Sequence, residues 1–103
     1  MNGTVVVPAG TPAFGRAVLR VRLLDVSLAD APAVTKAEHV SEFRRDDTAE
    51  QRLPFDLGLA DGPVLTVAAH VDVSGDGRVR HGDLVSTRAV APSDGVVVLV
   101  EPV

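Results

Sequence analysis

The sequence predicts an all-β fold, a small antiparallel Ig-like β-sandwich of about seven strands. Valine and alanine dominate the apolar residues, and nine glycines and seven prolines separate the apolar runs. Several runs alternate apolar and polar residues with a period of two, which is typical of half-buried strands. Turn signals recur roughly every ten residues. No repeat or linker divides the chain, so residues 1–103 are predicted to form one domain.

The first predicted strand covers residues 3–8, a β-branched run ended by proline, and a loop follows at 9–15. Residues 17–25 form the second strand, because leucine and valine alternate there with arginine. Residues 34–43 fit either a strand or a helix with an apolar stripe of Val34, Ala37 and Val40. The β-branched start of this segment favours a strand. The charges at 44–50 nearly cancel, so this segment is interpreted as a solvated turn.

The second half of the chain continues the same pattern. Residues 51–59 are predicted to be an edge strand, because Pro54 cannot donate a hydrogen bond to a neighbour. A turn at 60–63 leads to strands at 64–72 and 84–92, and residues 96–103 form a last strand buried on both faces. The predicted core consists of inward-facing residues of these strands: Leu19, Val21, Leu23, Phe55, Leu65, Val67, Val98 and Val100.

The composition excludes several function classes. A net charge of −4 argues against a nucleic-acid partner, which requires a basic face. The chain has no cysteine, which excludes disulfides and cysteine-ligated metals. No apolar run is long enough for direct membrane insertion. If Met1 is the native start, the absence of a signal peptide predicts a cytoplasmic protein; a trimmed lipoprotein domain would be extracytoplasmic.

One loop, which runs from Asp72 to Asp83, has the residue spacing of a calcium-binding loop. Asp72, Ser74 and Asp76 would supply side-chain oxygens at positions 1, 3 and 5, and Gly77 would make the turn at position 6. The predicted set is completed by the backbone carbonyl of Arg78 and the carboxylate of Asp83, and Val79 would point into the core.

The alternative interpretation of this loop is a polar β-hairpin turn. Gly75 and Gly77 suit positive φ, and Asp and Ser side chains stabilise turns by bonding nearby backbone N–H groups. This interpretation explains residues 74–77 but not the two acidic ends at ligand spacing. Both interpretations stay open at the level of sequence.

Catalytic chemistry is not expected, because none of the five serines or three histidines lies in a recognisable nucleophile sequence. His70 and Asp72 are two residues apart on one predicted strand, so their side chains would share a face and reach one transition-metal ion. Strand histidines are more often ordinary surface residues. The sequence therefore favours a non-enzymatic protein.

The order of the sequence pieces GTVVVP, LRVRLLDVSLADAPA, LPFDL and VLTVAAHVDVSGDGRV resembles the YbaY/YscW-like lipoproteins. These are the type III secretion lipoprotein chaperones, or pilotins, and their relatives. The piece from Leu23 to Pro32 is the most specific part, and the resemblance covers nearly the whole chain.

The resemblance implies a small Ig-like β-sandwich and a non-enzymatic interaction or structural module with a protein partner. Some members of the family are lipid-anchored and assist the assembly of outer-membrane secretins. The lipidated cysteine of those members has no counterpart in this sequence, so the fold follows from the resemblance but pilotin activity does not.

Overall fold

The computed structural model describes residues 1–28, 30–58 and 64–103. These residues form seven strands, as the sequence predicts, and the all-β class is confirmed. The strands are β1 (Asn2–Val7), β2 (Gly15–Asp25), β3 (Val34–Arg45), β4 (Gln51–Asp56), β5 (Leu65–Asp72), β6 (Leu84–Ser86) and β7 (Val96–Pro102). The predicted turn at 60–63 lies outside the described residues.

The strands form one mixed sheet in the order β3-β2-β5-β6-β7-β1-β4. The predicted antiparallel arrangement fails at one pair, because β1 and β7 run parallel. The first half of β7 pairs with β1 and its last three residues pair with β6, so this strand joins the two parts of the sheet. The end strands β3 and β4 approach each other, and the sheet almost closes on itself. An Ig-like sandwich of two sheets is not confirmed.

The core lies inside this curved sheet, and strand alternation accounts for it. In β2, Ala17, Leu19, Val21 and Leu23 are buried, while the residues between them face outward. Seven of the eight predicted core residues are buried, and Leu65 is half-buried at the start of β5. The core is built mainly from valine and leucine, which suit a pleated surface.

The two end strands are placed as the sequence requires. The segment at 34–43 is a strand, not a helix, and it extends to Arg45. β4 forms the other end of the sheet, which confirms the edge position expected from Pro54. The Leu57 N–H bonds to the Met1 carbonyl on β1. Since backbone groups alternate sides along a strand, the Pro54 nitrogen faces away from β1, where no donor is needed.

Two strand predictions are wrong in their details. The predicted strand at 84–92 is only three residues long, because the Ser86 hydroxyl accepts the Ala69 N–H and takes the place of the ladder. A single bridge between Val67 and Val90 continues the pairing farther on. The last strand is buried on one face only, since Leu99 is 50% exposed on the face turned to solvent.

Arg45 corrects the interpretation of residues 44–50 as entirely solvated. Its side chain is 1% exposed, and its guanidinium donates to the Thr11 carbonyl at 2.7 Å and the Ala49 carbonyl at 2.9 Å. The remaining residues of the segment are exposed. The buried guanidinium thus ties the 9–14 loop to the β3–β4 turn.

Among the described residues, no helix is long and apolar enough to cross a membrane.

Candidate functional site

The 72–83 loop begins at the last residue of β5 and ends just before β6, on the outer face of the sheet. Both of its acidic ends are buried: Asp72 is 0% exposed and Asp83 is 2% exposed. Ser74, Asp76 and Arg78, the other predicted ligands, are exposed. The predicted ligands therefore divide into two buried carboxylates at the ends of the loop and three exposed residues in the turn between them.

The Asp72 carboxylate accepts hydrogen bonds from the first half of the loop. Its oxygens accept the Gly75 N–H at 2.9 Å and the Gly77 N–H at 2.7 Å. The Arg20 Nε on the neighbouring strand donates to the same carboxylate at 3.1 Å. Gly75 and Gly77 both adopt positive φ, which curls their N–H groups around the carboxylate. Asp72 thus organises the first half of the loop.

The Asp83 carboxylate joins the beginning and the end of the loop in the same way. It accepts the Val73 N–H at 3.0 Å and the Arg80 N–H at 3.1 Å. The His70 Nε2 lies 2.7 Å from the Asp83 Oδ2, the oxygen that also accepts the Arg80 N–H. The Asp83 carbonyl also accepts the Val103 N–H, which fixes the end of the chain against this loop.

The Asp76 side chain faces outward and interacts locally. It accepts the Arg78 N–H at 3.0 Å and the Ser74 hydroxyl at 3.1 Å, and it forms an ion pair with the Arg80 guanidinium. The bonds from Arg78 and Arg80 lower the pKa of Asp76 to about 2. This residue therefore caps the tip of the turn.

The hydrogen bonds around Asp72 favour the ionised form of its carboxyl group. Burial by itself would raise the pKa of this carboxyl, but the N–H groups of Gly77 and Gly75 and the Arg20 guanidinium stabilise its ionised form. The net effect is a pKa below the ordinary aspartate value.

Potential ligand atoms of His70, Asp72 and Asp83 lie within 4.8 Å of one another. The structure thus brings together the predicted His70–Asp72 pair and the far end of the predicted calcium loop. N–H donors occupy the oxygens of both carboxylates, and an ion would have to displace them. Val79 is 58% exposed, so the prediction that it points into the core is wrong. Calcium binding stays a prediction.

One serine and one histidine form a pair that sequence inspection misses. The His39 Nε2 lies 3.0 Å from the Ser41 hydroxyl, and the Asp56 N–H points at the His39 Nδ1 at 3.4 Å. In the tautomer whose Nδ1 accepts this N–H, Nε2 carries the proton and donates to the serine. A general base requires the opposite polarity. Residues two apart on a strand share a face, which is the signal that predicts such a pair.

A shallow groove of about 250 Å³ lies on the outer face of the sheet beside the 72–83 loop. We call it the outer groove. Its principal lining residues are Arg20, Arg22, Ala68, His70, Val79 and Val85. Ala68 contributes a small side chain to the lining, and Gly77 and Val79 contribute the part that belongs to the loop. The bonds to Asp72 and Asp83 therefore also shape this groove.

No protein-family model matches the chain, and no curated protein matches its sequence. A solved structure, that of an alternative pilotin from the type II secretion system of Vibrio cholerae, does match. The two chains are 25% identical; the match covers 100% of this chain and 96% of the pilotin, with a TM-score of 0.62. The chain has a pilotin-like fold. Membership of the YbaY/YscW-like family is not confirmed.

Two features of this pilotin-like fold are not predicted by the sequence. The Asp83–His70 contact joins residues whose proximity depends on how the loop folds back. The outer groove combines residues of three strands and a loop, and only the alternation of β2 and β5 indicates that Arg22 and Ala68 share a face.

Proposed function

We propose that this protein is a non-enzymatic, pilotin-like chaperone module that binds a secretin and assists its assembly. The observation that carries the proposal is the match to a pilotin over the whole chain. The match includes the entire sheet and is not limited to a common supersecondary motif.

The chemistry of the described residues is consistent with binding rather than catalysis. In the His39 tautomer that accepts the Asp56 N–H, the pair with Ser41 has the polarity opposite to that of a general base and its nucleophile. The buried carboxylates of Asp72 and Asp83 accept backbone N–H groups and hold a loop in place. Exposed valines on the outer faces of the strands offer apolar contact area.

The proposal is tested by deleting the gene in its source organism. The amount of multimeric secretin in outer-membrane fractions is measured by immunoblotting of unheated samples. Deletion is expected to lower the multimer and to leave the monomer in excess, and the wild-type gene restores assembly. Val67→Asp provides an inactive control, because it places a charge at a core position that is 1% exposed. Unchanged multimer in the deletion strain would contradict the proposal.

A further inference from the structure

The outer groove has an apolar floor and a basic rim. Arg22 and Ala68 lie opposite each other on β2 and β5, and His70 lies opposite both Arg20 on β2 and Val85 on β6. Val79, more than half exposed, stands on the loop side. Apolar contact area is thus adjacent to cationic side chains, which is the composition of many protein interfaces.

Most of the cations lie on the elements around this groove. Only Arg52, among the ten Lys and Arg residues, lies on β1, β4 or β7. The others lie on β2, on β3 or between β5 and β7. Acidic residues outnumber Arg52 on β4, on β7 and in the turn that precedes β4: Asp46, Asp47, Glu50, Asp56 and Glu101. Carboxylates lie on the same elements, among them Asp25, Glu38, Glu42, Asp72, Asp76 and Asp83. The cationic character is therefore local, since the lining of the groove includes two arginines and no carboxylate.

The cations around the groove differ in whether they already form an ion pair within the chain. Arg20 is committed to Asp72 and only partly exposed, whereas Arg22 pairs with Glu38 at the surface, where its side chain is about half exposed. Arg78 and Arg88 are exposed, and no salt bridge is found for either within the described part of the chain. Arg78 comes directly after the lining residue Gly77, and Arg88 comes two residues after Ser86. Exposed cations therefore lie close in sequence to the groove lining.

We propose that the outer groove is the docking surface for an acidic, amphipathic segment of the protein partner. This inference rests on the proposed function and specifies the surface and the partner chemistry. Apolar side chains of the segment contact Ala68, Val79 and Val85, while its carboxylates meet Arg22 and Arg78. The volume of about 250 Å³ lies below the roughly 300–1,000 Å³ of small-molecule pockets, and it suits side chains of a docked segment.

The loop makes this surface rigid before binding. Two buried carboxylates and a network of N–H bonds hold Gly77 and Val79 in place. A preorganised wall lowers the entropy that docking would otherwise lose. Asp72 and Asp83, which have the spacing of calcium ligands, thus stabilise the loop side of the docking surface.

The experiment measures binding of overlapping peptides that cover the secretin encoded by the same organism. Fluorescence anisotropy compares the wild type with Arg22→Glu and with the matched control Arg52→Glu. Both arginines are exposed and each pairs with a surface glutamate, Glu38 or Glu50, but only Arg22 lies in the groove. A second pair, Val79→Ser and Val97→Ser, compares two valines that are 58% and 54% exposed.

Acidic amphipathic peptides are expected to bind the wild type, and more weakly as salt rises. Arg22→Glu should weaken binding at least about tenfold, since it places like charges together. Val79→Ser should weaken binding several-fold, and both control variants should bind as the wild type does. Melting curves of all four variants confirm that they are folded.

Three results of the peptide measurements would overturn the inference. They are equal binding to Arg22→Glu and the wild type, binding of basic or uncharged peptides only, and no peptide binding. Binding to phosphatidylglycerol vesicles that depends on Arg22, without peptide binding, would assign the groove to a lipid surface and also overturn it. The secretin assembly assay stays independent of all these results, so failure of the groove and failure of the proposed function are distinguishable.

Discussion

Replacing Asp72 by asparagine is expected to destabilise the fold by about 2–3 kcal/mol. The carboxylate is fully buried and accepts the N–H groups of Gly75 and Gly77 and the Arg20 guanidinium. Asparagine retains one oxygen, so its amide nitrogen must face at least one of these donors. The substitution keeps the shape of the side chain and removes its charge.

The magnitude follows from the contacts that are lost. A buried donor left without an acceptor costs about 1–3 kcal/mol, and loss of one partner from a fully buried ion pair costs about 3–5 kcal/mol. The Arg20 side chain is 21% exposed and the turn itself is open to water, so solvation recovers part of that loss. For a domain of this size, the remainder lowers Tm by roughly 10–15 °C.

The loss of stability in Asp72→Asn is expected to be smaller at acidic pH than at neutral pH. The pKa of Asp72 is lowered in the folded state, so its contribution to stability is present above the ordinary aspartate pKa of about 3.9. The contribution is lost as the pH falls through the lower folded-state value. The difference in Tm between wild type and Asp72→Asn should therefore be full at neutral pH and should shrink in acid.

Differential scanning calorimetry of the wild type, Asp72→Asn and Asp76→Asn provides the assay. Asp76 is the matched control, because it lies in the same turn but is exposed at its tip. Its replacement should lower Tm far less than replacement of Asp72. Equal effects of the two substitutions would refute the conclusion that the buried carboxylate holds the loop.

Three further predictions concern other parts of the molecule. Gly3→Ala should destabilise the fold by about 1–3 kcal/mol in urea unfolding, because a Cβ would overlap the Phe55 ring; an unchanged midpoint would contradict this packing. Arg45→Leu should lower the urea midpoint through loss of its bonds to the Thr11 carbonyl, and a stable variant would show that the guanidinium is dispensable. Melting curves in EDTA and in about 10 mM calcium should coincide at matched ionic strength. A rise in Tm that Asp83→Asn abolishes would establish the calcium interpretation instead.

Much of the fold is encoded in short-range patterns. The alternation of apolar residues in 17–25 correctly predicts β2 and its buried face, and Pro54 correctly predicts an edge strand. These features depend only on the period of an extended backbone and on the missing proline donor.

Long-range contacts account for what the sequence does not predict. The short β6 results from a Ser86 side chain that takes a ladder hydrogen bond, and only the folded chain shows which N–H it accepts. Arg45 precedes two aspartates and looks solvated, yet its guanidinium reaches the distant Thr11 carbonyl. The parallel pairing of β1 with β7 joins the two ends of the chain, which no local pattern specifies.

The sequence predicts the acidic ends of the candidate site but not the groups that bind them. The spacing in the 72–83 loop singles out Asp72 and Asp83, and both are buried at the ends of the turn. Their partners are backbone N–H groups together with the side chains of Arg20 and His70. The spacing of the acidic residues does not show whether such donors or a metal ion neutralise them. The outer groove depends on the strand register, so its lining is visible only in the folded sheet.

Direct titration of the purified chain with the purified secretin of the same organism tests the central claim. Isothermal titration calorimetry should show saturable binding with a defined stoichiometry and a negative heat-capacity change, because apolar surface is buried at the contact. The Val67→Asp chain, whose core is disrupted, should give no heat of binding. Absence of binding by the folded wild-type chain would contradict the proposal that this protein is a pilotin-like partner of a secretin.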